Sequence, residues 1–437
     1  METTVSAAET RSTRIPDQRR ILGATLVGST IEWYDFFIYA QAAGLIFADQ
    51  FFKPLGRDGT LAQIVSWATL GISFLFRPLG AAIAGHLGDR YGRKMVLAGT
   101  LILMGLATAL IGVLPTYATI GAAAPVLLIL LRILQGFSAG GEWGGAALLA
   151  VEHAPARRRG VFGAYPQIGV PLGLAVATTV LLALSAIFGQ SAYQDWGWRI
   201  PFLLSFVLVA VGLVVRSRVA ESPVFEEIRH RASESSAPLG VLLKGHSPVV
   251  LRAALIFAGN NAAGYMLIAF MGSYAAKTLK LPQTQVYAAV AIGAVIWTAV
   301  TLWSGYLSDR FGRINTFLVG YGLLFVTAWP AWILIDKADI TLFAFALAIL
   351  TLGLGLSYGP QPALYAEMFP RRIRYSGLSV SYALGSILGG AFAPMIAQLL
   401  LNKTHGTWSI AIYLMVMSAV SAAALLATPR SIERSAL

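Results

Sequence analysis

Five ionisable residues stand inside otherwise apolar stretches of the chain: Glu32, Asp35, Arg77, Arg132 and Glu142. A charge at membrane depth is costly unless it is paired or faces water, so residues of this kind mark places where protons or ions are handled. Glu32 and Asp35 are three residues apart and share a helical face, and Asp35 reaches Tyr39 four residues on. Arg132 and Glu142 are ten residues apart, about 80° short of three full turns. With Gln135 between them they form one polar stripe. A carboxylate near a guanidinium exchanges a proton when another anion competes for the guanidinium, and a guanidinium takes a carboxylate in bidentate fashion. Asp35 is therefore the first protonatable candidate and Glu32 the second. Arg77 is the candidate to meet an anion, with pairing to Asp35 or Glu32 as its structural alternative. Glu142 is either a relay or a structural partner of Arg132.

The elements that position these charges follow from composition. Hydrophobic residues make up 57% of 437 residues, charged residues 12%, and mean hydropathy is +0.70. These values are those of an integral membrane protein. Cysteine is absent, which excludes disulfides and thiolate chemistry. Residues 1–20 are polar and precede an apolar stretch from about 21 to 52. That stretch lacks a cleavage site and contains Glu32 and Asp35, so it reads as a retained helix rather than a signal peptide. Further segments of about 20 residues or more, enough to cross a bilayer, run at 61–85, 95–114, 123–150, 160–189 and 199–216, then at 249–276, 286–307, 314–335, 340–364, 376–401 and 407–428. The expected fold is an all-α membrane protein of twelve transmembrane helices. Its parts are a tail at 1–20, a six-helix bundle at 21–216, a linker at 217–248, a second six-helix bundle at 249–428 and a tail at 429–437.

Two repeats relate the bundles. Gly85, Asp89, Arg90, Gly92 and Arg93 recur as Gly305, Asp309, Arg310, Gly312 and Arg313, the acids being 220 positions apart. Glu152, followed by Pro155 and a basic run, recurs as Glu367 and Pro370, 215 positions on. Two motifs with nearly one period imply a parallel repeat, with a ligand path between the halves near the midplane. Of the 32 Lys and Arg residues, 23 fall on the side holding both termini, 7 on the other, and Arg77 and Arg132 lie within spans. By the positive-inside rule the termini are cytoplasmic and the protein sits in the plasma (inner) membrane. The net charge of +12 has the same topological origin and calls for no nucleic acid.

The loop motif between the second and third spans, with its echo, resembles that of the major facilitator superfamily. Within the superfamily, Glu32 to Tyr39, Phe76 to Gly80, Arg132 to Gly145, Gly197 to Phe202 and Glu221 to Phe225 resemble the metabolite:proton symporter family. That group takes in 2-oxoglutarate, citrate, shikimate and proline/betaine transporters, and the resemblance covers essentially the whole chain. It implies alternating access by rocking of two halves, protons as the coupling ion, and no other cofactor or metal. It also implies that Arg132 works with the proton site. At the matching depth of the seventh span Asn260, Asn261 and Tyr265 offer hydrogen bonds without charge, so the first half is expected to carry protons and attract anions while the second shapes the pocket. Arg77, Arg132, Tyr39, Gln135, Asn260, Asn261, Tyr265, Tyr358 and Gln361 are the substrate candidates. Asp35, Glu32, Arg132 and Glu142 are those for proton coupling.

Gly85, Asp89, Arg90, Gly92, Arg93, Asp309, Arg310, Gly312, Arg313, Glu152 and Glu367 are read as a gating latch, in which an acid and its basic neighbours grip a helix terminus. Glycines 136, 140 and 144 fit close helix packing, and Pro166 and Pro171 mark expected kinks. No phosphate-binding loop is present, and the five histidines are scattered over loops and span ends, which leaves no ground for a pump or an enzyme. The expected substrate is a small carboxylate-bearing metabolite, imported by a monomer. An osmolyte symporter and a proton-coupled drug antiporter are the alternatives, the second disfavoured by two buried arginines.

Overall fold

The structure is a computed structural model that describes residues 15–55, 59–91, 93–140, 142–217, 242, 245–370 and 373–430, without the side chains of 15–21, 24, 55, 84–91, 93–98, 156, 212 and 215–217. The described residues form helices joined by short turns and no strand. A bilayer permits little else, because every backbone polar group must be satisfied within its own segment.

In chain order the spans are α1 (Ile15–Leu45), α2 (Thr60–Tyr91), α3 (Arg93–Val113), α4 (Ala123–Glu152), α5 (Arg159–Gly197) and α6 (Arg199–Ser217). The second half continues with α7 (Ser247–Lys277), α8 (Gln283–Phe311), α9 (Arg313–Ile335), α10 (Ile340–Met368), α11 (Arg374–Thr404) and α12 (Trp408–Leu426). Nine of them are long and apolar enough to cross a membrane by length and composition, among the described residues. The remaining three, α1, α3 and α6, complete the twelve at 31, 21 and 19 residues. Helix α1 starts at Ile15, inside the stretch 1–20 read as a tail, and most of the linker at 217–248 and of the tail at 429–437 lies outside the described residues.

Outward faces are apolar. On α3, α6, α9 and α12 residues such as Leu110, Phe206, Val326 and Leu426 are exposed, as lipid contact requires. Helix α7 is the opposite case, 94% of its most apolar window being buried.

Several interior helices are irregular where they approach the centre. Helix α10 breaks at Ser357–Pro360, and α7 and α11 each contain a π-helical turn, Met266–Met271 and Ile387–Ala391. Such turns store local irregularity that the surroundings must satisfy. Asn260 does so for α10, donating to the Leu354 carbonyl at 2.9 Å and to Ser357 Oγ at 2.7 Å. In α5 the residue with non-helical dihedrals is Gly189, with φ 75°, while Pro166 and Pro171 lie within the helix. A left-handed residue bends a helix cheaply only when it lacks a Cβ.

Helices α2 and α4 cross almost backbone to backbone. A Cβ at Gly136 would lie 2.0 Å from the Ser73 carbonyl oxygen, and one at Gly80 would lie 1.8 Å from that of Phe137. This contact sets the distance between the arginines of the two helices. Gly136→Ala is therefore expected to destabilise the protein by about 1–3 kcal/mol through overpacking, whereas Gly322→Ala, with open space around its Cβ, should be neutral or stabilising by up to about 1 kcal/mol. Thermal unfolding in detergent measures both.

Candidate functional site

Arg132 is wholly buried and organises the first half. Its Nη1 donates to Gln135 Oε1 at 2.7 Å, and its Nη2 to Ser73 Oγ at 2.8 Å and the Leu70 carbonyl at 3.4 Å. Its Nε donates to the Thr69 carbonyl at 3.4 Å, and the ring of Tyr39 lies 3.8 Å beneath the guanidinium. Every one of these partners is neutral. Glu142 is not among the hydrogen-bond and ring partners of Arg132; glycine packing brings the arginine the carbonyls of α2 instead.

Asp35 is buried near this arginine without touching it. Gln135 Nε2 donates to Thr108 Oγ1 at 2.7 Å, and Thr108 in turn reaches Asp35 Oδ2 at 3.3 Å. Glu32 is also buried, one turn away on α1, near Tyr265, Tyr358 and Tyr382. Glu142 opens the second part of α4 and is buried as well.

Arg77 is 5% exposed and sits among the faces of Trp33, Phe36 and Phe74, with ring centroids at 5.4, 5.2 and 4.5 Å. Aromatic faces stabilise a cation that has been taken out of water. Among the described residues no ion pair joins Arg77 to Asp35 or Glu32, and Arg77 Nε has no hydrogen-bond partner.

Two small cavities adjoin these residues. The first, about 10 Å³, is lined by Phe36, Ser73, Arg77, Met104, Arg132, Gln135, Gly136 and Ala139. It presents two guanidinium groups and no carboxylate. The second, about 20 Å³, lies between the halves, with Trp33 and Val170 on one side and Asn260, Asn261, Tyr265 and Tyr358 on the other. Tyr265 packs edge-on against Phe36 and Phe74 and separates the two spaces, its hydroxyl having no partner. Asn261 donates to Ser386 at 3.4 Å.

Two of the substrate candidates lie elsewhere. Tyr39 lines neither cavity, being committed to Arg132 and Thr69, and Gln361 is fully buried, accepting from Gln167 Nε2 at 2.9 Å.

Both ends of the path are closed. About 12 Å from the basic end, eight residues along α5 and α11 at 1.5 Å each, Trp143 Nε1 donates to Gln167 Oε1 at 2.7 Å. Gln167 Nε2 crosses to the carbonyl of Tyr358 at 3.1 Å as well as to Gln361. Trp143 also stacks on Tyr382 of the other half at 3.8 Å. Trp143, Gln167 and Tyr382 were not singled out in the sequence, because neutral polar and aromatic residues in a span look like packing. At the opposite end Gln41 donates to the Ile268 carbonyl at 2.7 Å, Ser273 to that of Gly44 at 2.7 Å, and Lys277 to Gln63 at 3.1 Å.

The second loop motif seals the basic end. Asp309 accepts from the backbone N–H of Gly160 at 2.8 Å and of Val161 at 2.9 Å, the first turn of α5 in the other half. A carboxylate there satisfies orphan donors and the positive end of the helix dipole. Arg313 holds Asp309 at 2.7 Å and Glu367 at 3.5 Å. Gly312 has φ 95°, which allows the turn that brings Arg313 back. Arg310 is exposed over Phe311 and takes no part. Glu152 meets Arg374 across the halves at 4.0 Å. The side chains of Asp89, Arg90 and Arg93, with Gly85 and Gly92, lie outside what the structure describes.

The profile of the Major Facilitator Superfamily matches residues 25–394. The inner membrane metabolite transport protein YhjE of Escherichia coli (strain K12) is 40% identical, with 96% of each chain covered. The shikimate transporter of the same strain is 37% identical, over 92% of this chain and 93% of that one. Its proline/betaine transporter is 35% identical, over 92% and 81%. Among solved structures, a partially occluded inward-open xylose transporter XylE from E. coli superposes with TM-score 0.73 at 17% identity, covering 94% of this chain and 97% of that one.

Asp309→Asn removes the charge from the cap on α5 while leaving its shape. The basic end should then open more often, by roughly tenfold for the loss of one charge-assisted bond. In this cysteine-free chain, Ser379→Cys, buried against Gly144 of the other half, should react with a thiol reagent correspondingly faster when combined with Asp309→Asn.

Proposed function

The chain belongs to the major facilitator superfamily, and we propose that within it this multi-pass transporter imports a small carboxylate-bearing metabolite together with protons. The superfamily and its relatives here are transporters and not enzymes, and their named cargoes are small molecules. The observation that carries the carboxylate assignment is the cavity lined by Arg77 and Arg132 without an acid. An anion entering it replaces hydration with two fixed cations, one of which, Arg77, keeps an unused donor at Nε. A lipophilic cation meets only repulsion there, which argues against drug export.

The mechanism follows from the same geometry. Substrate enters the space between the halves, where Asn261 and the free Tyr265 hydroxyl meet its polar groups and the aromatic walls meet its apolar face. Its carboxylate reaches Arg77 past Tyr265, and competes for Arg132 beyond it. Asp35, and secondarily Glu32, supplies the proton site whose charge balances the arginines. Protons are the coupling ion and no other cofactor takes part. The structure has the features of an occluded step: both ends are tied across the halves, and each cavity has room for about one water, so the halves must part for substrate to enter. Breaking the Asp309 cap together with the Trp143–Gln167–Tyr382 layer opens the basic end, and breaking the Gln41 and Ser273 ties opens the other. With 23 of 32 Lys and Arg residues at the basic end, that end is cytoplasmic and both termini face the cytoplasm; the name of the YhjE relative supports the inner membrane.

Proteoliposomes carrying the purified protein and an inward proton gradient, offered labelled shikimate, 2-oxoglutarate, citrate and glycine betaine, should accumulate one of the three net-anionic carboxylates and not the zwitterionic betaine. Asp35→Asn should abolish accumulation while retaining exchange of the same carboxylate across the membrane. Accumulation of betaine alone would replace the net anion with a zwitterionic osmolyte, and full accumulation by Asp35→Asn would remove Asp35 from coupling.

A further inference from the structure

We propose that Gln135 and Thr108 form a relay through which Arg132 and Asp35 sense each other's state, although the two charges do not touch. The inference rests on the reading of Asp35 as the proton site and adds two neutral residues to it.

The donor directions along the chain are fixed by chemistry. A guanidinium only donates, so Gln135 must turn its Oε1 to Arg132 and its Nε2 to Thr108, at 2.7 Å each. Thr108 Oγ1, fully buried, accepts that bond and has a single proton left to give. Two acceptors compete for it: the Met104 carbonyl at 2.9 Å on its own helix and Asp35 Oδ2 at 3.3 Å. When Asp35 is a carboxylate, the hydroxyl turns to it, and Arg132, Gln135, Thr108 and Asp35 form one aligned run of donors. Aligned hydrogen bonds polarise one another, so each strengthens the next. When Asp35 is protonated, its own O–H donates to Thr108, the Thr108 proton goes to Met104, and the final bond of the run is reversed. Protonation at Asp35 thereby weakens the hold of Gln135 on Arg132, which lines the cavity. By reciprocity, an anion that draws Arg132 into the cavity changes the proton affinity of Asp35 by the same factor.

Two hydroxyls face Asp35, Thr108 from α3 and Ser205 from α6. Ser205 also reaches the Pro201 carbonyl on its own helix at 3.4 Å, and it has no link to Gln135, so Thr108 alone connects Asp35 to Arg132. Asp35 Oδ1 makes no hydrogen bond of ordinary length. The titratable groups that act on Asp35 are Glu32 and Tyr34, both on α1.

The test uses the full-length protein in liposomes without substrate, and follows the infrared stretch of the protonated carboxyl as pH is raised. The band lost in Asp35→Asn belongs to Asp35. A hydrogen bond to a carboxylate is stronger than one to a neutral acid, so in Thr108→Val the band should persist to higher pH, by about one unit, a tenfold change in proton affinity. Thr108→Ser keeps the hydroxyl and should titrate as the native protein does. Gln135→Leu should move the midpoint in the same direction by less, and Thr108→Val with Gln135→Leu should move it no further than Thr108→Val alone, since both cut one path. Additive shifts would make the effects local and overturn the relay. An unmoved midpoint in Thr108→Val would overturn it too, with Asp35 still the proton site. If no titrating band is lost in Asp35→Asn, the reading of Asp35 itself falls, and the relay with it.

Discussion

A guanidinium with no water around it is the constraint on which the first half of this protein depends. Burying such a charge is prohibitive unless protein groups replace its hydration. The replacement at Arg132 is made of the side chains of Gln135 and Ser73, the carbonyls of Thr69 and Leu70, and the ring of Tyr39. The carbonyls are within reach because α2 and α4 cross at glycines with no Cβ between them. The absence of a carboxylate from the shell has a consequence for function. An arginine neutralised by an adjacent acid is a finished ion pair, whereas one solvated by neutral groups still attracts an anion.

The second constraint is that the halves must hold together at either end without holding permanently. The ties found here suit that demand. At the basic end a carboxylate caps the start of a helix, a strong interaction that is fully exchangeable with water once the halves part. Behind it the Trp143–Tyr382 stack and the Gln167 bridge exclude water from the centre, and at the far end side chains of α1 and α7 bond each other's carbonyls. Each tie is made of few bonds, and the π turns in α7 and α11 give the helices local freedom next to the cavity.

Much of this was legible from residue types alone. The number of spans followed from apolar length, the two halves from the repeated Asp and Glu motifs, and the central charges from their isolation in apolar sequence. What could not be read was which neutral residues the charges would find. Thr108 is one hydroxyl in a helix of apolar neighbours, and its role appears only when α3 is set against α1 and α4. Gln167 and Trp143 carry no charge to betray them. Pairs of Arg132 with Glu142 and of Arg77 with α1 acids were the structural alternatives suggested by spacing and charge sign; among the described residues carbonyls and aromatic rings stand around the two guanidiniums instead. The break at Gly189 of α5 was likewise not read from the sequence, since a single glycine near a span end carries no mark of the positive φ it takes.

The central claim is that anion capture at the buried arginines draws protons through the membrane in the same direction. A pH-sensitive dye sealed inside proteoliposomes of the purified protein, with equal pH on both sides at the start, tests it directly when the transported carboxylate is added outside. Acidification of the interior that begins with substrate addition and is absent in Arg77→Gln is the predicted result. Substrate entry with no pH change, or with alkalinisation, would contradict the account.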